Sequence, residues 1–405
     1  MKIAVIGDTH FGFDHYGKRQ DDALRNAKEA FEIAISEKVD FILQTGDVFD
    51  ERLPKPEVIS PVIQLLKNVN SKVKSINLVR RIREDTEEMI TQSIPPVLMI
   101  YGDHDRRPKE YVNPVQLLHN AELIYYLEKE SIVLEKGNQR IAIHGFSNVP
   151  HQYAREILKK HDPKKIPNMK NILIIHQSFQ ELLPNQPPEI MNYSDLPEKF
   201  DMHILGHIHW KQEDKHPVSK SPILLPGSTV QTQMKKIESK ISKGIYILDI
   251  GDEIKYKFLE LKKPRKLYHE TIEINGEKPS EIGTLLQEKI KNLLEYHNHE
   301  LIPMIRIILK GVLHDGFIPS DISIRALTKK YENKAIINVG KAKLISKKLN
   351  EKSKLIHDLK TRKISIEDLG LKILGERLNI KKSEKLESIF SALKVGDLKK
   401  AEEIL

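Results

Sequence analysis

The sequence has no cysteine and a single tryptophan, and aromatic residues make up only 6% of its 405 positions. Without thiols there are no disulfides and no thiolate metal sites, so any bound metal must rest on nitrogen and oxygen donors. No apolar run approaches the roughly 18 residues that a membrane span needs. The opening residues, Met1-Lys2-Ile3-Ala4-Val5-Ile6-Gly7-Asp8, read as a short strand meeting an acid rather than as a signal peptide. A phosphate-cradling G-x-x-x-x-G-K-[ST] loop is missing, and so are internal repeats and low-complexity tracts. We therefore expect a soluble, cytoplasmic protein with no membrane association.

What is present is a heavily charged, foldable chain. Hydrophobic residues account for 39% and charged residues for 30%. Its length exceeds one ordinary core and suggests two or three domains. Net charge is +9, and it is unevenly spread. Tyr331 to Leu405 carries 18 Lys+Arg against 11 Asp+Glu, while the rest is nearly balanced. A basic tail suits a polyanionic partner, although a solvated helical surface has the same composition.

In the first half, helical patterns alternate with short apolar runs. Lys2 to Ile6 reads as a strand, followed by a helix with Ala23, Ala27, Ala30, Phe31 and Ala34 on one side. Strand Phe41 to Gln44, helix Val58 to Val69 and strand Val97 to Tyr101 come next. The polar stretch Lys72 to Ser93 reads as a further helix. A hairpin spans Ile132 to Leu134 and Ile141 to Ile143. Strands Ile172 to Ile175, Met202 to Leu205, Ile223 to Leu225, Gly244 to Ile250 and Lys255 to Leu261 complete an α/β sandwich with a mixed sheet. Lys262-Lys263-Pro264-Arg265-Lys266 marks a boundary. The expected domains are residues 1–263, a small α/β domain over 264–344, and a basic linker and helical segment over 345–405. The small domain shows a strand-helix-strand pattern over Glu270 to Ile274, Ile282 to Leu294 and Met304 to Leu309. Three amphipathic helical patterns run from Ile366 to Leu405, through Leu369, Ile373 and Leu374, then Leu386, Ile389, Phe390 and Leu393, then Leu398 and Ala401. Ser383 suits an N-cap and Gly396 a stop.

The chemistry gathers where strands end. Asp8 and His10 follow the first strand, Asp47 the second, and Asp103 and His104 the third. His176 ends a fourth, and Gly206-His207-Ile208-His209 leaves a fifth. In an open α/β sheet these carboxyl ends share one crevice. A sulfur-free set of carboxylates and imidazoles suits Mn²⁺, Fe²⁺ or Zn²⁺ better than Ca²⁺. So many candidate ligands exceed the needs of one ion and suit two ions about 3.5–4 Å apart, sharing a carboxylate. Taken singly, Asp8 or Asp47 could cap a helix and His176 could be a core residue. His144 and Trp210 fit structural roles.

The order D-x-H, G-D, G-[ND]-H-[DE], H, G-H-x-H resembles the calcineurin-like metallophosphoesterase superfamily, over roughly residues 1 to 260. Gly7-Asp8-Thr9-His10-Phe11-Gly12, Gln44-Thr45-Gly46-Asp47-Val48-Phe49, His176-Gln177 and Pro226-Gly227-Ser228-Thr229 narrow the resemblance to the Meiotic Recombination Eleven / SbcD-like nuclease family. The resemblance implies a β-sandwich flanked by helices, a small α/β capping domain and a C-terminal helical segment. It implies that Asp8, His10, Asp47 and His209 hold one metal, and Asp47, Asp103, His176 and His207 the other. His104 would face the phosphate instead of a metal. The implied cofactor is two Mn²⁺, with Fe²⁺, Zn²⁺ and Mg²⁺ as alternatives. The implied activity is a double-strand 3′-5′ exonuclease and single-strand endonuclease in double-strand-break repair. Its implied partners are DNA, a second copy in a homodimer, and an SMC-like coiled-coil ABC ATPase docking on Ile366 to Leu405. Competing readings are a small-molecule metallophosphatase or phosphodiesterase, and a catalytically weak DNA-end-binding scaffold.

Two positions depart from the family pattern. Asp103 stands where the family usually has Asn, adding negative charge beside an anionic substrate. Asp50 stands where some relatives carry a second substrate-side His. Asp50 and His15 are candidate substrate-binding residues. The stretch between Asp47 and Asp103 also exceeds the family expectation, which makes the expected helix over Lys72 to Ser93 an insertion able to alter self-association.

Overall fold

The structure is a computed structural model, and it describes residues 1–83, 86–108, 110–183, 189–347, 370–371, 375 and 384–404. Two compact units are present: Met1–His269 with His299–Met304, and Glu270–Asn298 with Ile305–Leu405. Among the described residues no helix is long and apolar enough to cross a membrane.

The first unit begins with β1 (Lys2–Ile6), α1 (Asp22–Ser36), β2 (Phe41–Gln44) and α2 (Pro56–Lys72). Then come β3 (Ile76–Arg83), β4 (Thr86–Ile94), β5 (Val97–Met99), α3 (Pro114–Asn120) and β6 (Tyr125–Tyr126). β7 (Ser131–Lys136), β8 (Gln139–Phe146), α4 (His151–His161), β9 (Lys170–His176) and β10 (Met202–Gly206) follow. The unit closes with β11 (Gln212–Lys215), β12 (Pro222–Leu225), β13 (Gly244–Ile250) and β14 (Ile254–Glu260). One sheet has the order β14-β13-β1-β2-β5-β6 and the other β11-β12-β10-β9-β8-β7-β3-β4. Both are mixed: β1 runs parallel to β2 and antiparallel to β13, and β10 runs parallel to β9 and β12 while β7 and β8 are antiparallel.

The period of two along each strand sorts side chains into layers. Ile3, Val5, Phe41 and Leu43 face Ile172, Ile174, Met202 and Ile204 of the other sheet in one core. Ala4, Ile6 and Ile42 face outward, against Ala27, Ala30, Phe31 and Ala34 of α1. The small alanines bring that helix close to the sheet, and Phe31 fills the remaining space. Burying Phe31 stabilises the fold by about 1.5–3 kcal/mol, and truncation to Ala would cost about 3–5 kcal/mol. Leu173, Ile175 and Leu205 pack on the far side with Ala154 and Leu158 of α4. With both faces covered, β1, β2 and β9 are near-continuous apolar runs.

The expected helix over Lys72 to Ser93 is corrected by the structure. α2 ends at Lys72, and β3 and β4 form an antiparallel hairpin on the edge of the eight-stranded sheet. The arginines and glutamates that suit helical pairing here pair across strands instead, as Arg80–Glu87 and Arg81–Glu88. Ile76, Leu78 and Ile94 are the buried contacts that select the strand. Their alternation, with β-branched Ile, Val and Thr throughout, fits a pleated surface.

The second unit holds β15 (Leu267–Asn275), α5 (Pro279–Glu295), β16 (Met304–Val312), α6 (Arg325–Lys330) and β17 (Ile336–Ile345), with sheet order β15-β16-β17. The strand-helix-strand pattern is there, and β17 adds a strand. The N–H of Gly276 bonds Val312 and that of Leu313 bonds Ile345, so the three strands run the same way. Ile282, Leu286 and Ile290 form the buried stripe of α5. Two C-terminal helices, α7 (Glu384–Lys394) and α8 (Leu398–Ile404), pack through Ile389, Ala392 and Ala401. Ile366, Leu369, Ile373, Leu374, Ser383 and Leu405, named in the expected docking segment, lie outside the described residues.

Candidate metal centre

The loops leaving β1, β2, β5, β9 and β10 bring carboxylates and imidazoles together. Donor atoms of Asp8, His10, Asp47 and His209 lie within 4.8 Å of one another, and so do those of Asp47, Asp103, His176 and His207. Asp47 belongs to both groups. His10, Asp50 and His104 form a third such group. His15 is not in any of them; it sits beside Tyr16 further along the first loop.

The backbone is bent hard to achieve this. His10, Asp47 and His207 have φ of 44°, 46° and 83°, in the left-handed region that side chains other than glycine rarely adopt. Such strain persists where surrounding contacts over-determine it. The His207 N–H donates to Asp8 Oδ2 at 3.0 Å, and the N–H groups of Thr9 and His10 donate to the Asp47 carbonyl. Gly46 and Gly206 let two loops close on the His176 ring. A Cβ at either would lie 2.6 Å from its Nδ1.

The histidines are held from behind. His10 Nδ1 donates to Asp50 Oδ1 at 3.1 Å, and His176 Nδ1 to the Thr45 carbonyl at 2.8 Å. His209 Nδ1 lies 2.6 Å from Thr232 Oγ1. Each of these bonds turns Nε2 toward the cluster, the arrangement that fixes tautomer and ring orientation in metal-ligating histidines. The Nε2 atoms of His10 and His209 face each other at 3.1 Å. That spacing also fits two nitrogens sharing one first-row ion. His207 Nδ1 lies 2.9 Å from Asp103 Oδ1, which also faces His176 Nε2 at 3.3 Å. His104 is different. Its N–H donates to Asp47 Oδ1 at 3.0 Å, and its Nδ1 donates to the Asp50 carbonyl at 2.7 Å. This half-exposed ring meets His10 edge-on, with centroids 4.9 Å apart.

The electrostatics favour cations. Burial pushes Asp8 above the usual carboxylate range, partly offset by His176. Burial acts likewise on Asp47 and Asp103, but imidazoles outweigh it: His176 and His10 hold Asp47 well below the usual range, and His176 and His207 do so for Asp103. The same pairs act in reverse. Burial disfavours protonated His10 and His176, yet Asp50 and Asp47 raise His10, and Asp47 and Asp103 raise His176. Three clustered carboxylates thus draw positive charge into a buried pocket. This donor set fits a pair of divalent ions.

Several supporting residues escaped sequence reasoning. Asp105 is fully buried, and its carboxylate accepts the N–H groups of Val48, Phe49 and Gly102 at 2.9, 2.8 and 3.1 Å. It ties the Asp47 loop to the Asp103 loop, while burial and Asp47 push its carboxyl up to about 7. The run Gly102-Asp103-His104-Asp105 carried that signal. Thr232 and the buried Lys243–Glu238 pair had none. Lys243 Nζ donates to the His209 carbonyl at 2.6 Å and to Glu238 at 2.9 Å. His144 and Trp210 take structural roles. His144 is buried between Ser131 and Asn171, and Trp210 packs at the edge of the α4 core with its Nε1 on Gln212.

Residues 1–211 match the family model described as calcineurin-like phosphoesterase. The DNA double-strand break repair protein Mre11 of Sulfurisphaera tokodaii is 29% identical over 339 residues, covering 80% of this chain and 76% of that protein. The protein of the same name from Sulfolobus acidocaldarius is 26% identical over 415 residues, covering 100% of this chain and 98% of its own. A double-strand break repair protein MRE11 from Encephalitozoon cuniculi is 29% identical over 317 residues, and the match spans only 53% of that longer chain.

Proposed function

This chain belongs to the calcineurin-like phosphoesterase family and resembles Mre11 repair proteins along its length, and from that premise we propose that it is a two-metal DNA nuclease of double-strand-break repair. The observation that carries the reading is the pair of four-ligand groups sharing Asp47, with Nδ1 of three histidines held from behind. Asp8, His10, Asp47 and His209 would hold one ion, and Asp47, Asp103, His176 and His207 the other. Two Mn²⁺ ions there would lower the pKa of a bound water and neutralise the phosphodiester's charge.

The chain's own residues do the rest. His104 is anchored through Nδ1 to the Asp50 carbonyl, which leaves Nε2 for the substrate, where its imidazolium form can give a proton to the departing 3′ oxygen. Asp50 steadies both His104 and His10 and so acts as a positioning residue. The strained Asp47 loop, fixed by Asp105, keeps the shared carboxylate in place. The substrates are duplex ends, degraded 3′ to 5′, and single strands, cut internally. The α/β unit after residue 264 serves as a cap over DNA, and the segment Ile366 to Leu405 docks a coiled-coil ATP-binding-cassette subunit. The working form is a homodimer, with one centre for each DNA end.

The test is cleavage of end-labelled linear duplex and single-stranded DNA with Mn²⁺, Mg²⁺ or EDTA, beside His104→Ala. Manganese-dependent cutting that the variant loses supports the nuclease. Hydrolysis of small phosphoesters with no DNA binding or cutting sinks it in favour of a phosphatase.

A further inference from the structure

Two exposed tyrosine rings lie on the loops that follow His10 and His104 of the candidate site. Tyr16, six residues after His10, is 80% exposed, and Tyr111, seven residues after His104, is 58% exposed. Each carries a cation over its ring: Lys55 Nζ lies 4.0 Å from the Tyr16 centroid, and the Arg107 guanidinium lies 4.9 Å from that of Tyr111. Lys55 also bonds the Tyr16 hydroxyl, so this pair bridges the loop after β1 to the loop after β2. Beneath Tyr16 runs a small slot lined by Phe11, Gly12, Pro54 and Val58, and Phe11 directly follows His10. Leu53, which precedes Pro54 in the chain, is 66% exposed.

Described residues of both loops are tied by hydrogen bonds. The N–H of His15 bonds the Gly12 carbonyl, that of Gly17 bonds the Asp14 carbonyl, and that of Arg19 bonds Asp14 Oδ2. On the other loop, the N–H of Tyr111 bonds the Pro108 carbonyl and Arg107 Nη1 bonds the Val112 carbonyl. A lone exposed aromatic means little. Two, each paired with a cation and each on a loop that follows a residue of the candidate site, form a pattern with a use. Aromatic faces stack on nucleobases and cations track the backbone phosphates.

We propose that Tyr16 and Tyr111 are stacking platforms for unpaired nucleobases beside the metal centre, so that the chain selects frayed or single-stranded ends over fully paired ones. This rests on the nuclease reading. Base faces are hidden inside a duplex and open only where strands separate, so two separate rings need unpaired nucleotides to be used together. Stacking of this kind tolerates any sequence, because every base has an open face.

The experiment uses the full chain in EDTA at low salt. Fluorescence anisotropy compares a blunt duplex with one bearing an unpaired 3′ tail of about five nucleotides, with 2-aminopurine placed in the tail. The wild type binds the tailed duplex more tightly and quenches the probe. Tyr16→Ala and Tyr111→Ala each weaken tailed binding about tenfold and lose quenching, with little change on blunt DNA. The Phe variants keep both. Ala variants that bind and quench as the wild type does overturn the proposal, and so do Phe variants as damaging as Ala, since a face would then not be what matters. A wild type that binds no DNA at all overturns the nuclease reading itself and removes the platforms with it.

Discussion

Histidines of this protein are buried in two very different settings. His10 and His176 sit at strand ends among carboxylates, and burial, which disfavours their charge, is overcome by Asp47 and its neighbours, so both are drawn toward protonation. His144 and His203 lie within β8 and β10, against neutral partners. His144 meets Ser131 and Asn171, and His203 meets the Pro197 carbonyl. Burial pushes both down to about 4. Burial is therefore not what marks a functional histidine. What sets His10 and His176 apart is the carboxylates that converge on them at the strand ends.

Moving a carboxylate-facing histidine gives the largest effect. His176→Ala is expected to lower Mn²⁺-supported hydrolysis on the order of a thousandfold and to abolish the thermal stabilisation that Mn²⁺ gives the wild type. His144→Ala, measured the same way, should keep the Mn²⁺-dependent shift while lowering the baseline melting temperature. Equal behaviour of the two variants would erase the distinction.

Asp105→Asn comes next. A carboxylate accepting three backbone N–H groups is replaced by an amide with one acceptor oxygen. We expect metal affinity to fall about 10–100-fold, read by calorimetry, with the ligands themselves untouched. Asp103→Asn should have a smaller effect in the opposite direction. It removes a negative charge beside an anionic phosphodiester and should raise turnover severalfold while metal binding persists. Unchanged rates would mean that this charge does not limit the reaction.

The mildest test uses pH. The unfolded histidine titrates near 6.5, whereas His144 and His203 titrate near 4 in the fold. Between those values the unfolded chain binds more protons, so stability rises with pH there. Their contribution is complete above about pH 6.5 and is lost as pH falls toward 4, by up to about 3 kcal/mol for each. Denaturant melts at pH 7, 5.5 and 4.5 would show this decline, and His144→Asn should make it shallower.

Most of the candidate centre is legible in the sequence because its candidate ligands fall at strand ends, and strand ends are visible as apolar runs meeting Asp or His. Asp8, Asp47, Asp103 and His207 are all found this way. The hairpin of β3 and β4 reads as a helix in the sequence because arginines and glutamates satisfy helical spacing and cross-strand spacing alike. Only the burial of Ile76, Leu78 and Ile94 decides between them. β17 went unseen because its interior is half-exposed, with Val339 and Leu344 its only buried side chains. Thr232 could not be foreseen. A threonine on a loop becomes a histidine's partner only when the fold brings it 2.6 Å from His209.

The central claim is that two ions share Asp47. Calorimetric titration of the metal-free protein with Mn²⁺ tests it most directly, with Asp47→Ala and His144→Ala alongside. We predict two ions per chain for the wild type and for His144→Ala, and loss of both tight sites in Asp47→Ala. One ion per chain in the wild type, or two retained by Asp47→Ala, would contradict a shared carboxylate.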